Sequence, residues 1–224
     1  MIKNAIILAA GTGSRLNFHK PKGCLNIYGK SLIAHSVDAL HQRGIRPILG
    51  TGFASECYDF LRLETCKNVD YEKTGSLWTL RNMKHVKGDV LILESDILYD
   101  PCLLDAIIKC PEPNVVLFGK GHPKDAVFAD VDEKGYLKTM SKDCPASENI
   151  AVGISKLSES TFSHLNMLAD HVLKKSPLQH YDYIYEQLPE RFWVLNVEGA
   201  FTEIDDQEQL EYAINYVYPR ISFN

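Results

Sequence analysis

The stretch ILAAGTGSRLNFHKPKG, Ile7 to Gly23, places Gly11, Gly13, Arg15, Lys20 and Lys22 directly behind an apolar run. Glycines let a backbone approach a ligand closely and expose successive N–H groups as a nest for an anion. Arg15 adds a planar, permanently charged fork. Pro21, between Lys20 and Lys22, limits how far the two ammonium groups can wander. The spacing is neither GxxxxGK nor GxGxxG, because position 16 is Leu. The chemistry this stretch suits is a phosphate or triphosphate clamp built from Leu8, Ala9, Ala10, Gly11, Thr12 and Gly13 with the basic residues after them. The alternative is a tight turn with solvated cations.

Two acidic stretches lie far along the chain. In LESDILYD (Leu93 to Asp100) the acids follow an apolar run and belong at the carboxyl end of a strand. Glu94 and Asp96 share strand parity, and Asp96, at the tip, is the better metal ligand. In FTEIDDQEQLEYA, Asp205 ends an extended segment, while Asp206 can cap a terminal helix with Gln209 answering in a capping box. Taken singly, each aspartate reads equally well as a cap. If the basic stretch does hold a triphosphate, the pair suits one Mg²⁺, a hard ion that takes oxygen ligands while bridging phosphates. Gly75 and Ser76 in EKTGSLWTL suit either a ligand contact or a helix start. Tyr71, Trp78, Tyr181, Tyr183 and Trp193 are candidates for a cation pocket, although aromatic residues of this kind more commonly fill cores.

The elements that must hold these groups follow from hydrophobic patterning. Ala5 to Ala10, Ile45 to Gly52, Asp89 to Asp96 and Val115 to Gly119 read as strands, the second weakened by its proline. Ser31 to Arg43, Ser55 to Leu63 and Pro101 to Lys109 read as helices between them. Apolar strands alternating with helices indicate a doubly wound, mostly parallel sheet covered on both faces. The later half changes character. AVFADVDEKGYLKTMSKD is a hairpin turning at DEKG, and AVGISKLSES runs from strand to helix with Ser158 or Ser160 as cap. FWVLNVEGAFTEIDD gives another strand pair, and Gln207 to Tyr218 a closing helix. Ligands of such sheets bind at the carboxyl edge, near the topological switch.

With 224 residues, one domain is expected. The formal charge of −5 argues against non-specific nucleic-acid binding. The six cysteines form no CxxC and no zinc-finger spacing with histidine, which suits reduced thiols in a cytoplasmic protein. No leader-like segment precedes the first strand, and no run approaches the ~20 apolar residues of a membrane span. Nothing in the pattern marks a surface for a homodimer, which the sequence leaves open.

Taken together, ILAAGTGSRLNFHKPKGCLNIYGKSLI resembles the signature of nucleotidyltransferases that join a nucleoside triphosphate to a sugar phosphate, phosphocholine or a phosphonate. The stretches GTGFASECYD, KTGSLWTL, VLILESDILYD, VGISKLSEST, EIDDQEQLEYA and YVYPRI are most similar to the 2-aminoethylphosphonate cytidylyltransferases, a branch of the superfamily that also holds phosphocholine cytidylyltransferases. The resemblance spans Ala5 to about Ile221. It implies one nucleotidyltransferase domain over residues 1–224, with the mixed, mostly parallel sheet of nucleotide-diphospho-sugar transferases and a small antiparallel insertion. It implies CTP on the loop from Leu8 to Gly13, Arg15 on the β and γ phosphates, Lys22 at the α-phosphate, and Mg²⁺ on Asp96 and Asp205. Ser76 falls where members meet nucleotide or acceptor. Only six residues separate Arg15 from Lys22, against about nine in relatives, so Lys20 is expected to share the clamp. Where relatives carry a GE pair before the late strand, this chain has Asn149 and Ile150. Glu148 is the candidate substitute, joined at the acceptor end by Tyr181 and Asp182. The expected acceptor is 2-aminoethylphosphonate, with phosphocholine or another small phospho-acceptor as the rival. A catalytically silent nucleotide-binding protein is the alternative of a different class.

Overall fold

The computed structural model describes residues 2–13, 16, 18–122, 124, 126–145 and 147–221. Thirteen strands and five α-helices alternate along them. The strands are β1 (Asn4–Ala9), β2 (Asn26–Ile27), β3 (Lys30–Ser31), β4 (Arg46–Thr51), β5 (Glu64–Lys67), β6 (Val90–Glu94) and β7 (Ile97–Tyr99), then β8 (Val115–Gly119), β9 (Phe128–Val131), β10 (Leu137–Ser141), β11 (Ile150–Leu157), β12 (Trp193–Val197) and β13 (Phe201–Glu203). The helices are α1 (Leu32–Gln42), α2 (Ser76–Asn82), α3 (Cys102–Lys109), α4 (Glu159–Val172) and α5 (Gln207–Tyr212).

Seven strands form the main sheet, in the order β12-β8-β11-β6-β1-β4-β5. All run parallel except β11, which lies antiparallel between β6 and β8. Strand parity explains the two-sided covering. Ala5, Ile7 and Ala9 point to the face where Ile33, Val37 and Leu40 of α1 pack with Leu103, Leu104 and Ile107 of α3. Ile6 and Leu8 point the other way, into a cluster with Leu77 and Leu80 of α2 and Phe162 and Leu165 of α4. A strand buried on both faces must be apolar throughout, which is the pattern β1 shows.

Pro47 lies inside β4 without breaking it. The Arg46 N–H turns toward the β1 side and donates to Lys3 O at 2.9 Å, so the amide of Pro47 faces the β5 side. Pairing with β5 begins only at Ile48, so the missing donor has no partner to disappoint. The DEKG turn forms as expected, joining β9 and β10 as an antiparallel hairpin. The residues from Phe192 to Asp206 do not pair with one another. β12 joins β8 at the sheet edge, whereas β13 leaves to pair with β7. Segment 55–61 is a 3₁₀ rather than an α-helix. The terminal helix changes to π-type winding at Ala213–Val217 and ends in a 3₁₀ turn containing Pro219. None of the described helices is long and apolar enough to cross a membrane, and all six cysteines are free thiols.

Of the two serines suited to cap α4, Ser158 does so, its Oγ accepting from Thr161 N at 3.2 Å. Ser158→Ala should cost about 1 kcal/mol, the usual worth of such a cap, measured as a shift in the urea midpoint with an unchanged m-value.

Candidate active site

A cleft of about 650 Å³ opens at the carboxyl ends of β1 and β6, where the strand order reverses on either side of β1. Leu8, Ala10, Gly11 and Gly13 line it from one side. Gly13 has φ +62, and a Cβ there would meet Lys22 Cγ at 2.8 Å. The glycine thus allows both the left-handed turn and the passage of the lysine side chain. Pro21 leads into a short 3₁₀ turn, Lys22–Cys24, that aims Lys22 into the cleft.

The Lys22 ammonium is ion-paired with Asp96, at 2.7 Å, and with Asp205. The convergence of residues so distant in sequence has a local cause. After β6 ends at Glu94, the chain turns through Ser95 and Asp96 into β7. β13 then pairs antiparallel with β7, with Glu203 opposite Ile97, and Ile204 N donates to Asp96 O at 2.8 Å. A two-stranded ribbon outside the main sheet therefore sets the second aspartate beside the first. The α5 cap fixes it there. Asp206 Oδ1 accepts from Gln209 N at 3.0 Å, while Gln209 Oε1 accepts from the Asp205 N–H at 2.8 Å. The reciprocal bond of the capping box lands one residue early, on Asp205, and so holds its backbone.

Two further acids share this floor. Glu94, Asp96 and Glu203 place carboxylate oxygens within 4.8 Å of one another. Burial, then the charges of Glu203 and Asp96, push Glu94 well above the ordinary carboxylate range. Burial, with Asp96 and Asp205, pushes Glu203 up to about 8. Burial also raises Asp182. At Lys22 burial pulls the other way, but the two aspartates outweigh it and hold the ammonium charged. The signal for Glu203 was present in the sequence. Glu94-Ser95-Asp96 and Glu203-Ile204-Asp205 are the same E-x-D pattern at two strand ends, and a period of two puts both acids of each on one face.

Asp96 and Asp205 supply the hard oxygen donors that a Mg²⁺ ion takes. Both are ion-paired with the one Lys22 ammonium, so the two carboxylates face a common point, and Glu94 and Glu203 stand beside Asp96 as further oxygen donors. The remaining expected residues distribute unevenly. Ser76, Tyr181 and Asp182 line the cleft, as do Tyr71 and Tyr183. Ala9 is buried within β1, and Thr12 and Lys20 are exposed outside the cleft lining. Glu148 stands apart, with its side chain 82% exposed and paired with Lys120 at 2.9 Å. Trp78 packs against the α2–α4 side of the core, and Trp193 lies on β12, edge-on to Tyr136. Arg15 lies outside the described residues. The wall also gains His122, Lys124 and Lys142 from the hairpin region, cations to which no sequence pattern pointed.

Residues 5–158 match the sequence profile described as the MobA-like NTP transferase domain. No curated protein matches the sequence. Among solved structures, the chain is similar to CTP:phosphocholine cytidylyltransferase (LicC) from Streptococcus pneumoniae, with TM-score 0.77 and 18% identity over 94% of this chain and 97% of that one. It is similar to the inositol-1-phosphate CTP transferase from T. maritima, with TM-score 0.75 and 16% identity over 99% and 98%. HddC from Yersinia pseudotuberculosis gives TM-score 0.74 and 16% identity over 95% and 98%. At these identities the likeness is one of fold.

Lys22→Met removes the cation from two largely buried carboxylates. It should lower stability by about 3 kcal/mol, as for a broken buried pair. Thermal denaturation should show millimolar Mg²⁺ recovering part of that loss.

Proposed function

The chain belongs to the MobA-like NTP transferase family, and from that premise we propose that it transfers CMP from CTP to a small phosphonate or phosphate whose other end is cationic. The acceptor we assign is 2-aminoethylphosphonate. The observation carrying this reading is the acidic floor of the cleft. Glu94, Asp182 and Glu203 lie next to the Lys22–Asp96–Asp205 cluster and lack a neighbouring cation of their own among the described groups that set their ionisation, apart from Lys22 and His180. A bound ammonium would favour their ionised forms and draw their raised ionisation back down, whereas an uncharged sugar end would leave them as buried, protonated carboxyls.

CTP as donor is supported by the sequence resemblance, and two of the structural neighbours are by name CTP-dependent. The acceptor oxygen is already anionic, so no general base is needed. It attacks the α-phosphorus, the bond to the β-phosphate oxygen breaks, and pyrophosphate leaves. The barrier comes from bringing anion to anion, so the work of the protein is positioning and charge neutralisation. Lys22 is the permanently charged group at the centre of the cleft, placed to hold the α-phosphate. Asp96 and Asp205 would hold Mg²⁺, which when bound supplies charge neutralisation to the triphosphate. Ala10, Gly11 and Gly13 line the same space, and their backbone N–H groups would take phosphate oxygens.

Phosphocholine is the second reading, favoured by Tyr183, whose ring lines the cleft beside Asp182. A quaternary ammonium has no N–H to donate and prefers ring faces. A primary amine prefers carboxylates, which outnumber accessible rings here. Pyrophosphate release from CTP and Mg²⁺ should be fastest with 2-aminoethylphosphonate, slower with phosphoethanolamine and phosphocholine, and weakest with glucose 1-phosphate. Equal rates with glucose 1-phosphate would overturn the acceptor assignment, and CTP binding without release from any acceptor would indicate a silent binding protein. Lys22→Ala should reduce kcat by ~10²-fold or more. A nearly normal kcat would remove Lys22 from the reaction. Asp182→Asn should raise KM for 2-aminoethylphosphonate by roughly tenfold, the effect of about 1.4 kcal/mol, with KM for CTP unchanged.

A further inference from the structure

Thr74, Gly75 and Ser76, which lead into α2, line the cleft where a contact to nucleotide or acceptor is expected. Their polar groups are directed elsewhere. Gly75 N donates to Pro177 O at 2.8 Å, and Leu77 N donates to Gln179 O at 3.2 Å. Ser76 Oγ accepts from Tyr181 N at 3.1 Å. Three successive residues therefore grip a strap running from Pro177 to Tyr181. Contact is so close at Gly75 that any Cβ would collide with the carbonyl oxygens of Leu178 and Gln179, which are backbone atoms and cannot turn aside.

Immediately beyond the strap come Asp182 and Tyr183, the acidic and aromatic members of the acceptor end. Downstream, Ile184 and Tyr185 are buried in the core, at 0% and 1% exposure. Tyr185 stacks on Phe192 with ring centroids 4.3 Å apart. The wall is thus held from below by the core, which buries Tyr181 against Tyr185, while the strap that leads into it is gripped by Gly75, Ser76 and Leu77. Tyr181, 2% exposed, has its amide satisfied among the described residues by Ser76 Oγ. Removing Oγ would leave that buried N–H unpaired.

We propose that Gly75 and Ser76 are positioning residues for the acceptor wall Tyr181–Asp182–Tyr183, setting acceptor affinity through that wall rather than by touching the nucleotide. This rests on the acceptor end being the acidic one, as assigned above. Ser76→Ala should raise KM for 2-aminoethylphosphonate by roughly 5- to 10-fold, leave the Kd for Mg-CTP within twofold, and speed amide exchange in the peptide covering 177–184. Ser76→Thr, which keeps a hydroxyl acceptor, should restore KM and exchange. Gly75→Ala should show the same split more strongly. If Ser76→Ala weakens Mg-CTP binding while exchange over 177–184 stays as in the parent, Ser76 is a nucleotide contact and the proposal falls. It also falls if exchange rises but the acceptor KM is unchanged. Failure of the acceptor assignment reads differently. There Asp182→Asn leaves the acceptor KM unaltered, and the exchange and Mg-CTP measurements on Ser76→Ala still decide whether the hydroxyl serves strap or nucleotide.

Discussion

One ammonium shared between two carboxylates organises the centre of this protein. Lys22 comes from the loop after the first strand, Asp96 from the end of β6, and Asp205 from a ribbon built near the carboxyl terminus. Asp205 is almost wholly buried, with its side chain 4% exposed. A charge there is tolerable only because a cation stands against it. The same arrangement concentrates negative potential. Glu94 and Glu203 cannot both ionise easily so near Asp96 and Asp205, and their raised ionisation follows from burial and that crowding. A cleft so charged would repel a bare triphosphate, which is the physical reason for expecting a divalent ion to enter with it.

The sheet makes the convergence geometrically cheap. In a parallel sheet the strand ends gather on one edge, so the turns after β1 and β6 meet without any special contact. The register of Leu8 with Glu94 sets those two strand ends level. What the main sheet does not do is deliver Asp205. That falls to β7 and β13, three residues each, which stand outside it. Gln209 then holds the backbone of Asp205 through a cap displaced by one residue. A small antiparallel addition thus completes a site that the doubly wound frame only begins.

The two ends of the cleft are supported differently. The lysine and aspartates rest on strand ends and short hydrogen-bonded turns. The wall of Tyr181, Asp182 and Tyr183 follows a strap gripped by the start of α2. A serine and a glycine that read as ligand-facing residues make most of that grip through backbone partners. Proximity to the cleft and contact with its occupant are separate properties, since a polar group already paired inside the protein has less left to offer a ligand.

The strands and helices around the core were legible because their burial writes a period into the sequence. Ala5 to Ala9 alternates between two clusters, and α1 ends where its apolar stripe ends. Lys22, Asp96 and Asp205 were legible as chemistry because acids and bases behind apolar runs sit at strand ends. The resemblance supplied their joint purpose. Glu203, though patterned like Glu94, carried no sign of which distant strand it would face. Lys142 and His122 gave no sign of reaching the cleft, and nothing marked Glu148 as lying outside it. Periodicity is a local property, and it fixes the face on which a side chain lies. Which faces meet depends on strand order and pairing, decided by how the whole chain buries its apolar surface. The sequence alone therefore determined the class of sheet and the kinds of groups at its edge, while only the tertiary structure decided that four carboxyl groups and one lysine share a single site.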